Sequence, residues 1–135
     1  MPEAFAFETG APGGSVSSAR AMPPFELDSQ ETDDPDVQHV CISGELDLTN
    51  ARELEDRVAE LAAGERSLVV LDLNRVVFID SAALHVLFRT ARTGRIGIVL
   101  SPTAPIARTV EIVGLSGATV VAESVDDVLT AISAR

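Results

Sequence analysis

Residues 78–88 read Phe-Ile-Asp-Ser-Ala-Ala-Leu-His-Val-Leu-Phe, which sets an acid and a hydroxyl, Asp80 and Ser81, side by side where an apolar run gives way to a helical one. Three chemistries use such a pair. As a nucleophile, Ser81 needs a positioned general base, and the chain has only His39 and His85. His85 lies one helical turn after Ser81 and leans back toward it, but nothing supplies the third group of a triad. No G-x-S-x-G elbow surrounds the serine, so a serine hydrolase is the weakest of the three readings. As a helix cap, Ser81 accepts from first-turn N–H groups while Asp80 meets the positive end of the helix. As a phosphate acceptor, it gains about -1.5 to -2 of charge and three strong acceptor oxygens. A helix N-terminus tolerates that charge. Cap and acceptor are compatible with each other, and neither needs an activating base.

A second polar cluster, Gly44-Glu45-Leu46-Asp47, follows an apolar stretch at residues 37–43. Both clusters fall between a strand and a helix, where open α/β sheets gather ligands, so the two loops are expected to be neighbours. One cysteine, two separated histidines and scattered carboxylates give no metal-ligand spacing, and "GLSGATV" matches neither phosphate-binding glycine pattern. No catalytic, metal or cofactor site is expected.

The elements that must hold these loops follow from periodicity. Residues 25–27 suit a short edge strand and residues 37–43 a half-buried one. Residues 44–50 are expected to be loop, with Asn50 and Glu53 at capping-box spacing and Leu48 as a hydrophobic staple. In the helix beyond, Leu54, Val58 and Leu61 share a face, Glu53 and Arg57 pair one turn apart, and Gly64 ends it. Residues 67–73 are apolar enough for a strand covered on both faces. Leu84, Leu87, Phe88 and Ala91 mark a second helix, stopped by Gly94, and residues 96–100 form the next strand. A short helix follows with Pro105 in its first turn and Ile106, Val110 and Val113 facing inward. Residues 118–121 make the last strand. Ser124 caps a final helix lined by Val125, Val128, Leu129 and Ile132. Alternation at this spacing predicts an α/β fold: a mixed, mostly parallel sheet of about five strands with four helices, covered mainly on one face.

With 135 residues, this is one domain's worth of chain. Residues 1–24 are rich in Gly, Pro, Ser and Ala without periodicity, which predicts a disordered tail, and residues 25–135 form the domain. A core without Trp or Tyr has to be built from Val, Leu, Ile and Ala. The net charge of -11, with no lysine at all, argues against direct nucleic-acid binding. Eight acids against Arg20 alone fall within residues 1–36. Neither a signal peptide nor a membrane span is legible, and the lone Cys41 suits a reducing compartment, so a cytoplasmic protein without membrane attachment is expected.

"ISGELDLTNARELEDRV", "LVVLDLNRVVFIDSAALHVL" and the later "IVGL" resemble, in order and spacing, the STAS domain of bacterial anti-sigma factor antagonists. The resemblance implies a STAS-like fold and a non-enzymatic regulator. Unmodified, such a protein binds an anti-sigma factor that is a serine kinase and so releases a sigma factor. Phosphorylation of the serine after the motif's aspartate switches it off, and a phosphatase acting on phosphoserine restores it. That serine falls on Ser81. The partner-facing residues it implies are Glu45, Asp47, Asp80, Ser81, Leu84 and His85. Sporulation and stress responses are the settings in which such partner switching is known. Two residues depart from the pattern: known substrates read Asp-Ser-Ser/Thr-Gly-Leu, whereas Ala82 and Ala83 stand here, and Ala83 replaces a glycine that lets a partner approach. STAS domains also serve as subunits of ABC-type lipid-transport complexes, in stress-sensing complexes and at the ends of anion transporters. Arg89, Arg92 and Arg95 follow Ser81 closely and read as a solvated helix face or as contacts for a partner's acids.

Overall fold

The computed structural model describes residues 25–134. The segment expected to be a disordered tail, residues 1–24, lies outside the described residues. Five strands form one sheet in the order β1-β2-β3-β4-β5: β1 Phe25–Gln30, β2 Val37–Leu46, β3 Leu68–Ile79, β4 Ile96–Val99 and β5 Val120–Ala122. β1 runs antiparallel to β2 and every other pair is parallel. Four α-helices alternate with the strands: α1 Ala51–Ala62, α2 Ser81–Ala91, α3 Ala107–Val113 and α4 Val125–Ser133. The expected mixed, mostly parallel sheet of five strands with four helices is the architecture found.

Side-chain alternation sorts the core into two layers. Val40 and Ile42 of β2, Val69 and Leu71 of β3 and Ile98 of β4 point to the face covered by α1 (Leu54, Val58), α2 (Leu84, Leu87) and α3 (Val110). Val37, Val70, Val99 and Val120 point the other way, onto Val128 of α4. At the β4–α4 contact the approach is close: a Cβ built on Gly97 would lie 2.6 Å from Val128 Cγ1, so only glycine lets the helix sit this low. The second face also carries polar groups, with His39 Nε2 3.9 Å from Asp72 Oδ2 and Cys41 beside them. Burial pushes the Cys41 thiol above its usual range, and the neighbouring Asp72 adds to the effect.

Several boundaries differ from the sequence reading. β2 continues through Leu46, so Gly44, Glu45 and Leu46 are strand rather than loop, and β3 runs on to Ile79, six residues past the expected 67–73. The partners explain the extension: between Cys41↔Asp72 and Leu46↔Ile79, five steps along β2 are matched by seven along β3. The two extra residues sit in bulges, which break the two-residue period by which a strand is recognised. Val77 and Phe78 are therefore exposed in succession (59% and 49%) between buried Val76 and Ile79. α3 begins at Ala107, which leaves Pro105 ahead of it, and Val113 at its end is 40% exposed rather than inward-facing. β5 begins at Val120. Ala118 instead terminates a 3-10 turn, and the buried Thr119 hydroxyl donates to the Ile96 carbonyl.

Candidate functional site

The carboxyl ends of β2 and β3 finish level, Leu46 beside Ile79, and the Asp80 N–H donates to the Leu46 carbonyl (3.1 Å). The two polar loops expected to be neighbours are thus bonded to one another from their first residues. Asp80 is in extended backbone (φ -107°, ψ -177°) and is the N-cap of α2. Its Oδ1 accepts from the Ala83 N–H (3.1 Å) and its carbonyl from the Leu84 N–H (3.0 Å). Its Oδ2 reaches across to the other loop and accepts from the Leu48 N–H at 2.9 Å. One carboxylate therefore caps a helix and ties it to the segment that follows β2.

Capping by Ser81 is corrected by this geometry. Asp80 holds the cap position, and Ser81 is the first residue of the helix, exposed, with its hydroxyl released from that role. The reason is stereochemical: a cap residue sits outside helical dihedrals so that its side chain can fold back, and the chain is extended at residue 80. His85, one turn on, is also exposed, and among the described residues no hydrogen bond joins it to Ser81. Ala82 is half-buried and Ala83 has no exposure at all, its methyl packed into the core cluster. Ala83, the alanine that stands where the pattern has glycine, therefore faces inward, away from any approaching molecule. Leu84 is also buried (7% exposed) and supports the site from beneath.

The loop after β2 has its own internal bracing. Asn50, at the cap position of α1, makes no capping bond, so the expected capping box is not formed. Its side chain turns back instead: Oδ1 accepts from the Asp47 N–H (2.9 Å) and Nδ2 donates to the Glu45 carbonyl (2.8 Å). With both side-chain polar atoms hydrogen-bonded and only 4% exposed, it fixes the loop from inside. Asp47 Oδ1 accepts from the Thr49 hydroxyl (2.5 Å) and from the Thr49 N–H (2.9 Å). The hydroxyl bond, foremost, holds the Asp47 carboxyl below its usual 3.8. Leu48, expected as a staple, is 76% exposed at the loop tip. Exposed Leu48 and Phe78 flank the pair Asp80–Ser81, with Glu45 exposed opposite Phe78 in the ladder. Sequence reasoning missed Leu48, Phe78 and Asn50 as site residues. An Asx residue three positions after Asp47 was the available signal for Asn50; the exposure of Phe78 had none, since it comes from a bulge.

Of the three arginines after Ser81, two are anchored, each at a different place. Arg89 forms a two-pronged bond to Glu55 of α1 (2.8 and 3.1 Å), which raises its own pKa and lowers that of Glu55. Arg95 donates to the carbonyls of Ser67 and Arg66, and Arg92 is exposed. Glu53 and Arg57 lie 3.9 Å apart at the expected spacing. Among the described residues no group of three or more His, Cys, Asp or Glu side chains is arranged to hold a metal, and no helix is long and apolar enough to cross a membrane.

A family model described as "STAS domain" matches residues 30–128, most of the chain. Over 55 residues the sequence is 36% identical to the anti-sigma-F factor antagonist RsfB of Mycobacterium tuberculosis. That stretch covers 41% of this chain and 45% of the relative, less than half of either. The crystal structure of an anti-sigma factor antagonist from Mycobacterium paratuberculosis aligns with a TM-score of 0.67 at 27% identity, covering 81% of this chain and 94% of that one. The Bacillus cell fate determinant SpoIIAA in its phosphorylated form shares the fold, with a TM-score of 0.52 at 17% identity over 80% of this chain and 98% of that one.

Proposed function

The chain belongs to the STAS domain family, and from that premise we propose that it is an anti-sigma factor antagonist whose docking face is switched by phosphorylation of Ser81. The observation that carries the proposal is the division of labour at the start of α2. Asp80 does the capping, and the Ser81 hydroxyl stands exposed on the first helical residue. A phosphate there meets the positive end of an 11-residue helix, so the fold accommodates it. The same charge transforms the surface around it. Exposed Leu48 and Phe78 give a docking partner its apolar contacts, and Glu45, Asp47 and His85 give the polar rim. A dianion at its centre leaves that partner facing an unpaired, desolvated charge. Several kcal/mol are at stake, on the order of a thousandfold in affinity.

The names of the relatives support the same reading. The partner is an anti-sigma factor acting as a serine kinase, and a phosphatase acting on phosphoserine reverses the mark. The chain itself performs no catalysis in this scheme; Ser81 receives the phosphoryl group and keeps it. Leu84 contributes by packing beneath Ser81 rather than by contact. The buried methyl of Ala83 places no obstacle before the kinase, so the departure from the Ser-Ser/Thr-Gly pattern leaves the hydroxyl approachable.

The test uses the cognate anti-sigma factor. Wild type and Ser81→Ala should bind it alike, Ser81→Asp should bind far more weakly, and kinase with ATP should add one phosphate to wild type and none to Ser81→Ala. Equal binding of Ser81→Asp and wild type, or an unchanged mass after incubation, would refute the switch.

A further inference from the structure

The chain leaves β4 and β5 in opposite directions. After β4 it turns at Leu100–Ser101 toward α3, whose Val110 packs on the face already covered by α1 and α2. After β5 it turns at Glu123 into α4, whose Val128 packs on the other face. β4 and β5 are adjacent and parallel, so their carboxyl ends part around a crevice where successive connections switch faces. Open α/β sheets bind ligands at such points, because two diverging loops leave space that no side chain fills. A cavity of about 620 Å³ occupies this one. Its size is within the range of small-molecule sites, roughly 300–1,000 Å³.

The lining selects the chemistry. Leu100, Val110 and Val121 supply an apolar wall. The charged groups are Glu111, Glu123 and Asp127 against Arg108, three carboxylates to one guanidinium. Among the described residues none of the four forms an ion pair. One side of the mouth is set in advance: the Ser101 N–H donates to Asn74 Oδ1 (2.7 Å), and its hydroxyl lies 3.0 Å from the Thr103 hydroxyl. A preset wall lowers the ordering cost of binding. We propose that this crevice binds a small organic cation, a protonated amine on an apolar body. The body lies against Leu100, Val110 and Val121, and the ammonium faces the carboxylates of Glu111, Glu123 and Asp127. An anion is disfavoured by the same imbalance of charge. The site is separate from Ser81, which does not line the cavity, and it stands independently of the phospho-switch.

The experiment is a titration of the 135-residue, nitrogen-15-labelled chain with phenethylamine hydrochloride, read by amide chemical shifts, with 3-phenylpropionate and ammonium chloride as controls. Saturable shifts at Ser101, Ala122 and Glu123 are expected with the amine alone. The double variant Glu111→Gln/Glu123→Gln, altered only at exposed positions, should bind about threefold to tenfold more weakly, as the loss of two partly solvated ion pairs implies. The proposal is overturned if the amine gives no saturable shift or shifts other residues. It is also overturned if either control reproduces the effect, or if the double variant binds the amine as well as wild type does.

Discussion

Replacing Asp80 by alanine removes two hydrogen-bond acceptors, one serving helix α2 and the other the loop after β2. The Oδ1 bond from the Ala83 N–H is a helix cap, and its loss costs about 1 kcal/mol. The Oδ2 bond from the Leu48 N–H ties α2 to the loop after β2; that bond is exposed, so its loss costs less than that of a buried bond to a carboxylate, about 1 kcal/mol. Together they predict a domain less stable by about 2 kcal/mol, or roughly 8–12 °C in Tm for a domain of this size. Asparagine separates the two terms. It caps as well as aspartate through its single oxygen, but its amide nitrogen cannot accept from Leu48. Asp80→Asn should therefore lose only about half as much. Urea unfolding at unchanged m-value gives the magnitudes. Hydrogen exchange assigns them: the Leu48 amide should exchange faster in both variants, and the Ala83 amide faster in Asp80→Ala alone. Equal losses in the two variants, or a Leu48 amide as protected as in wild type, would refute the clamp.

Two further outcomes follow from the same geometry. Ala83→Gly removes a buried methyl and lowers helix propensity, so it should cost about 2 kcal/mol in urea unfolding while leaving the rate of Ser81 phosphorylation unchanged. A faster rate would mean that the methyl faces the kinase after all. Asp47 titrates below its usual 3.8 in the folded chain because the Thr49 hydroxyl donates to its carboxylate. A depressed native value contributes stability that is present above the unfolded value and lost as pH falls through the folded one. The stability difference between wild type and Asp47→Asn should therefore be constant above about pH 5 and fade on acidification below pH 4, as followed by urea midpoints across that range.

Much of the scaffold was legible because its signals are local. The alternation of strands and helices, the face shared by Leu54 and Val58, the Ser124 cap and the Glu53–Arg57 pair each depend on residues within one or two turns. The site was legible only in part. Asp80 and Ser81 announce themselves by type, but which of them caps depends on the dihedrals at residue 80, and those follow from the bond of its N–H to Leu46, thirty-four positions away. Similarly, Asn50 carries the residue type of a cap and performs another task, because the Glu45 carbonyl and the Asp47 N–H offer its side chain better partners than the helix does.

By itself, then, the sequence determined the α/β alternation, the order of elements, and the placement of an acid and a hydroxyl at the end of one strand. Only the tertiary structure decided what surrounds them. Two bulges in β3 turned Val77 and Phe78 outward, α2 took the Ala83 methyl into the core, and the opposite exits of α3 and α4 opened a cavity beyond β4 and β5. The physical reason is range. Propensity and periodicity act over a few residues, whereas bulge register, burial of one methyl and the gap between two loops are set by partners that the fold brings together from distant parts of the chain.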